Sequence, residues 1–217
     1  ISLFTEDGAP GTTITPSITF GSFSTQRIGT KISGDTGTLN YVADISSFRT
    51  DGYRDHSAAK RDTFNGKFKW KLDADSKITL IVNAVDMPHA DDPLGLTRVQ
   101  FEANPKQPGT NALLYNTRKS VTQQQLGLAY ERKVGAGDTA HLMVYHGQRD
   151  TTQFQSIPTL AQAPVTHPGG VIDLVRDYWG VDAHWTHQSE LADAPLTATV
   201  GINYDNLDEA RKGFRNF

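Results

Sequence analysis

This chain is built from segments in which every second residue is apolar, and it contains no long apolar run. Phe64-Asn-Gly-Lys-Phe-Lys-Trp-Lys-Leu72 is the clearest case. Phe64, Gly66, Phe68, Trp70 and Leu72 share one side of a strand, and Asn65, Lys67, Lys69 and Lys71 share the other, because successive side chains alternate across the pleat. Soluble sheets alternate too. Here the pattern recurs in strand after strand, and the wet side is often cationic or amide-rich. A chain with lipid on one side of its sheet and a water-filled lumen on the other reads this way. No stretch reaches the ~18 uninterrupted apolar residues of a spanning helix. The mean hydropathy of −0.46 agrees. A transmembrane barrel escapes that helix test, since only alternate residues face lipid.

Nine strand candidates follow Ile1-Ser-Leu-Phe-Thr5, which itself reads as a strand. They centre on Ile14–Phe20, Ile28–Ile32, Leu39–Ile45, Phe64–Leu72, Ile78–Ala84, Leu126–Tyr130, Ala140–Val144, Trp179–Trp185 and Leu196–Tyr204. Tight turns are expected at Ser33–Gly37, Asp73–Ser76, Gly135–Asp138 and near Ala192, where Gly and Asp favour positive φ. Longer irregular segments are Arg49–Asp62, Met87–Lys119, with a helical turn at Leu96–Ala103, and Ser156–Asp177. In an up-and-down meander alternate connections share an end. Tight turns therefore gather at one end and long loops at the other, as in outer-membrane barrels. Phe20, Tyr41, Trp70, Tyr130, Trp179, Trp185 and Tyr204 lie near strand ends, as interfacial aromatics do, although sheets favour aromatics generally.

Composition narrows the functions. Apolar residues make up 37% and the formal charge is −3, so the chain is neither disordered nor a nucleic-acid binder. Cysteine is absent, which removes disulfides and thiolate metal sites without choosing a compartment. Gly169-Gly170 lacks the lysine and the strand–helix context of a phosphate loop. No nucleophile-elbow spacing accompanies the Ser, His and Asp residues, and no enzyme is read here. His89, Asp91 and Asp92 have metal-ligand chemistry, but Ala90 and Pro93 suit a solvated loop, and no metal site is assigned.

The residues resemble a TonB-dependent outer-membrane receptor of the ferric-siderophore type. Ile1-Ser-Leu-Phe-Thr-Glu-Asp-Gly8 is similar to the family's last plug strand, and Gly21-Ser-Phe-Ser-Thr-Gln-Arg27 to its first hairpin. Phe48-Arg-Thr-Asp-Gly-Tyr-Arg-Asp-His56 with Phe64–Trp70 resembles its second hairpin. Asp75-Ser-Lys-Ile-Thr-Leu80 resembles the turn into the next strand. Asp92-Pro-Leu-Gly-Leu-Thr97 and Asn116-Thr-Arg-Lys119 resemble its long third loop.

The resemblance implies an all-β fold, an antiparallel up-and-down meander that is part of a large transmembrane β-barrel of ~22 strands. Residues 1–12 would be the end of the plug and the linker into the barrel, and residues 13–217 the N-terminal portion of the barrel, so that the chain reads as cut at both ends. It would serve as an active-transport receptor in the bacterial cell outer membrane, importing a ferric siderophore and energised through the TonB complex. Outer-membrane lipid would surround it, no resident cofactor is expected, and Lys67, Lys69 and Lys71 would face plug carboxylates. Ligand candidates are Arg98, Phe101, Tyr115 and Arg118 in the third loop and Arg54 and His56 in the second, for charge and for stacking on an aromatic chelate. Interleaved Asp51, Asp55 and Asp62 offer local neutralisation instead. Alternatives from the residues are a passive porin-like or small structural β-barrel, or a soluble β-sandwich binding module.

Overall fold

The computed structural model describes residues 6–135 and 137–217. The Ile1–Thr5 strand expectation lies outside them. The described residues form one sheet of nine antiparallel strands, each paired with its neighbours in sequence. The strands are β1 (Gly11–Gly21), β2 (Thr25–Asp35), β3 (Leu39–Thr50), β4 (Ala59–Lys71), β5 (Ser76–Asp91), β6 (Arg118–Lys133), β7 (Asp138–Phe154), β8 (Val171–Leu191) and β9 (Ala194–Phe214). All nine expected strands are present, in the expected order. Two short helices, α1 (Arg98–Ala103) and α2 (Thr110–Leu114), sit between β5 and β6.

Register turns the alternation of separate strands into two continuous faces. One row runs Tyr41, Phe68, Leu80, Leu128, Val144, Val181 and Tyr204 across β3 to β9. The next runs Leu39, Trp70, Ile78, Tyr130, Leu142, Ala183 and Ile202. The apolar band does not stay on these rows. In β1 and β2 it climbs to Ile18 opposite Ile28, while in β9 it descends to Val200 opposite Trp185. A band that drifts across register rows is what strands tilted against a level apolar layer produce. Ile14, Phe20, Val200 and Ile202 on this face are exposed, and no second sheet covers them among the described residues. A β-sandwich needs such a sheet.

Apart from the short first connection, 22–24, the connections sort by length as alternation predicts. Residues 22–24, 51–58, 92–117 and 155–170 lie at one end of the sheet, and 36–38, 72–75, 134–135 with 137, and 192–193 at the other. The second set are tight turns, with Gly37 and Gly135 at φ 87° and 79°, a region that glycine enters without steric cost.

Strands are longer than their alternation at the loop end. β5 runs on to Asp91, where the sequence predicts irregular chain from Met87. Its register with β6 shifts between Met87 and Ala90, and a bulge breaks the two-residue period while the strand continues. Pro88 sits in that irregularity, where a missing N–H costs least. β8 likewise begins at Val171, well before Asp177, because Val171, Ile172, Leu174 and Val175 pair without alternating.

Candidate functional site

The polar face is a hydrogen-bonded wall. Ser46 meets Thr63 at 2.8 Å, Asn83 donates to Asn65 at 2.8 Å, and Arg149 donates to Gln123 at 2.8 Å. Arg176 pairs with Glu209 at 2.7 Å. Two tyrosines each cross a glycine to reach the strand beyond. Tyr178 lies over Gly147 and donates to Gln125 at 3.2 Å, and Tyr145 lies over Gly180 and donates to Asp205. A Cβ on Gly147 would stand 2.4 Å from the Tyr178 ring, and one on Gly180 would stand 2.5 Å from the Tyr145 ring. Glycine is needed for these approaches.

The N-terminal segment docks on this wall. Lys67 and Lys69, two residues apart on one strand, point the same way. One Asp7 carboxylate takes both, with Oδ1 2.6 Å from Lys67 Nζ and Oδ2 2.8 Å from Lys69 Nζ. These two ammonium groups lower the Asp7 pKa to about 2. Glu6 pairs with Lys31 at 2.7 Å. Gly8 is clasped by the Asn40 amide, which accepts from its N–H at 2.9 Å and donates to its C=O at 2.8 Å. Beside the segment lies a groove of about 470 Å³, with Arg27, Lys31, Asp44, Lys67 and Asn83 in its lining.

At the other site, the loop end, three connections lock together. The 92–117 loop closes at its neck, where Asp92 N–H donates to Thr117 C=O at 2.9 Å and Thr117 Oγ1 donates to Asp92 C=O at 2.6 Å. Thr97 and Gln100 form a capping box that starts α1. Arg54, from the 51–58 loop, spreads its guanidinium across the C=O groups of Pro93 (3.0 Å), Leu94 (2.5 Å) and Gln107 (2.8 Å). Leu94 itself has φ 58°, unfavourable for a branched side chain, and this clamp helps to hold it there. His56 Nε2 lies 2.8 Å from Thr117 C=O, and its Nδ1 lies 3.9 Å from Asp91, which also meets His89 at 3.1 Å. Asp92 instead accepts from Leu94 N–H at 2.9 Å. The 155–170 loop joins through Tyr115, whose hydroxyl accepts from Thr159 N–H at 3.1 Å. Asn216 donates to the C=O groups of Tyr115 and Gln155, and its N–H reaches the buried Gln162.

The sequence-derived candidates therefore fall into different environments. Arg54, His56 and the buried Tyr115 bind backbone of neighbouring loops. Arg118 stacks on Phe154, with its guanidinium carbon 3.6 Å from the ring centre, and donates to Asn116 C=O at 3.0 Å. Arg98 projects into solvent, paired with Glu102 one turn on at 2.8 Å, and Phe101 is 56% exposed. Sequence reasoning missed Asn216 and Gln162, whose amides tie loops far apart in the chain. No spacing or period marks them. The exposed Leu113, Leu114, Leu160 and Val165 were also missed, and they add apolar surface to the same end.

No family model matches the sequence. Solved structures share the fold. The ferric citrate transporter FecA in its unliganded form superposes with a TM-score of 0.68 at 17% identity, over 92% of this chain and 29% of that one. The ferric-catecholate import receptor Fiu of E. coli K12 gives 0.74 at 11% identity, over 96% and 36%. The ferripyoverdine receptor of the Pseudomonas aeruginosa outer membrane, bound to ferripyoverdine, gives 0.67 at 10% identity, over 94% and 29%. The chain spans about a third of the length of these proteins.

Proposed function

We propose that this chain is an arc of the wall of an outer-membrane active-transport receptor, and that the receptor imports a ferric siderophore with energy delivered through TonB. The observation that carries the reading is the two-faced sheet: an apolar band that runs from strand to strand on one side, and on the other a polar wall with a separate segment salted onto it. Lipid suits the first face and a plugged, wet lumen suits the second. The fold shared with ferric-chelate transporters and receptors supports the same assignment.

Residues 1–12 take the part of the plug end, which the docking of Glu6 and Asp7 on Lys31, Lys67 and Lys69 supports. The interlocked loops at the other end form the outer, ligand-collecting surface, because loops held over a rigid scaffold commonly carry binding. Within them Arg98 and Phe101 are open to an anionic or aromatic chelate. Arg118, with one face on Phe154, keeps its remaining donors for ligand. Arg54, His56 and Tyr115 act by fixing the loops that present those groups. The protein converts nothing, so binding and release are its chemistry.

The test replaces residues 93–116 by a short Gly-Ser turn across the paired Asp92 and Thr117. Intact cells are assayed for surface binding against a panel of hydroxamate, catecholate and citrate-type ferric chelates. The parent protein binds one of them, and the loop variant reaches the membrane but binds that chelate at least about tenfold more weakly, a loss of about 1.4 kcal/mol. Unchanged affinity removes this loop as a ligand contact. Absence of binding by the parent to every chelate of the panel removes the siderophore reading.

A further inference from the structure

We propose that His141, Asp182 and His184 form a binding site for one divalent transition-metal ion, of the zinc, copper or nickel type, on the polar face near the short-turn end. His141 lies on β7, and Asp182 and His184 lie on β8. Asp182 and His184 are two apart, so they leave the strand on the same side. Register sets His141 directly opposite His184. Three ligand residues, of two types that first-row metals accept, are thereby gathered from positions 41 and 43 residues apart in the chain. One ligand atom from each residue lies within 4.8 Å of the other two.

The arrangement has further features of a ligand set. The two imidazole rings stack, with centroids 4.4 Å apart and planes 19° from parallel. Asp182 Oδ1 lies 2.8 Å from His184 Nδ1. A metal held between them would replace that contact, with the oxygen and the nitrogen as neighbouring ligands. Gly201 stands opposite His184 on β9, so no side chain of that strand closes the row there. Asn203 and Met143 flank Asp182 from β9 and β7, and neither is charged. Glu131, opposite His141, is held by Lys77 at 2.7 Å and does not compete for the histidines.

Two histidines and one carboxylate suit zinc, copper(II) and nickel(II), and leave open positions for water or a further ligand. Metal–nitrogen bonds of about 2.0–2.1 Å need the ligand atoms closer than they stand. Rotation about the side-chain torsions of half-exposed residues closes that gap, since Asp182 and His184 are each 35% exposed. The site is separate from the loop end, and its existence does not depend on the transport reading.

Zinc titration of the intact, chelator-stripped protein in detergent tests this. One equivalent binds with micromolar or tighter affinity, and His141→Gln or His184→Gln weakens it by about tenfold or more. His89→Gln and His146→Gln, whose imidazoles neighbour Asp91 and Asp177 elsewhere, leave it unchanged. Electron paramagnetic resonance of the copper(II)-loaded parent protein, which needs no mutation, shows two equatorial imidazole nitrogens. No zinc binding at micromolar concentration, an affinity insensitive to both His141 and His184 substitutions, or a copper spectrum with fewer than two imidazoles overturns the site.

Discussion

Arg54→Ala should open the loop end without loosening the wall. The guanidinium joins the 51–58 loop to three carbonyls of the 92–117 loop, at 2.5–3.0 Å from Pro93, Leu94 and Gln107. Hydrogen bonds to a charged group are each worth about 1.5–3 kcal/mol. The carbonyls are only partly buried and water will replace some of what is lost, which brings the net cost to about 2–4 kcal/mol. Leu94, at φ 58°, adds to the tendency to open. Local opening of that size raises amide exchange by about 30- to 1000-fold. The amides to follow are Gly109, bonded to Pro93 C=O, and Asp55, bonded to Lys106 C=O. Hydrogen exchange with mass-spectrometric readout should show both regions losing protection while β6 and β7 keep theirs. Arg54→Lys should recover only a part, since an ammonium cannot fork across three acceptors. Exchange in the 92–117 loop within threefold of the parent, about 0.7 kcal/mol, would refute the clamp.

Docking of the N-terminal segment should depend on the Asp7 carboxylate. Its pKa is lowered to about 2 from an ordinary 3.8, so its contribution is complete above about pH 4 and fades as pH falls through 2. The carboxylate is about half exposed, which limits the contribution to about 1 kcal/mol. A spin label at Ala9 should become more mobile in Asp7→Asn at pH 7, and an unaltered spectrum would contradict the pairing. These 217 residues hold no cysteine, so each substitution adds the first one within them. A membrane-impermeant maleimide on intact cells should label Glu102→Cys and Leu160→Cys and spare Asp75→Cys and Ala192→Cys. The reverse pattern would invert the topology.

Much of the fold is legible because a two-residue period is a direct record of which side each residue faces. Phe64 to Leu72 can be read on its own, and register then only has to keep such segments in step. The period fails where a bulge interrupts it, and β5 beyond Met87 is therefore invisible in the sequence. The helical turn before Ala103 is legible from its Thr97–Gln100 cap, but α2 has no side-chain cap, and nothing marks it. The loop end is the least legible part. Arg54 has the same chemistry whether it grips a ligand or a backbone, and only the positions of Leu94 and Gln107 decide what it touches. Asp7 carries no mark of its two lysine partners, and His141 none of Asp182 and His184. These pairings arise from long-range register, which a local period does not encode.

The central claim is that one face of this sheet meets lipid. Trp70, Trp179 and Trp185 are the only tryptophans of the chain, and all stand on the apolar face by register. The most direct measurement is fluorescence of single-tryptophan variants of the intact protein, reconstituted in bilayers with and without brominated acyl chains. All three tryptophans should be quenched by the brominated lipid. If none is quenched, while the protein is inserted, the apolar face lies against protein and the wall assignment is wrong.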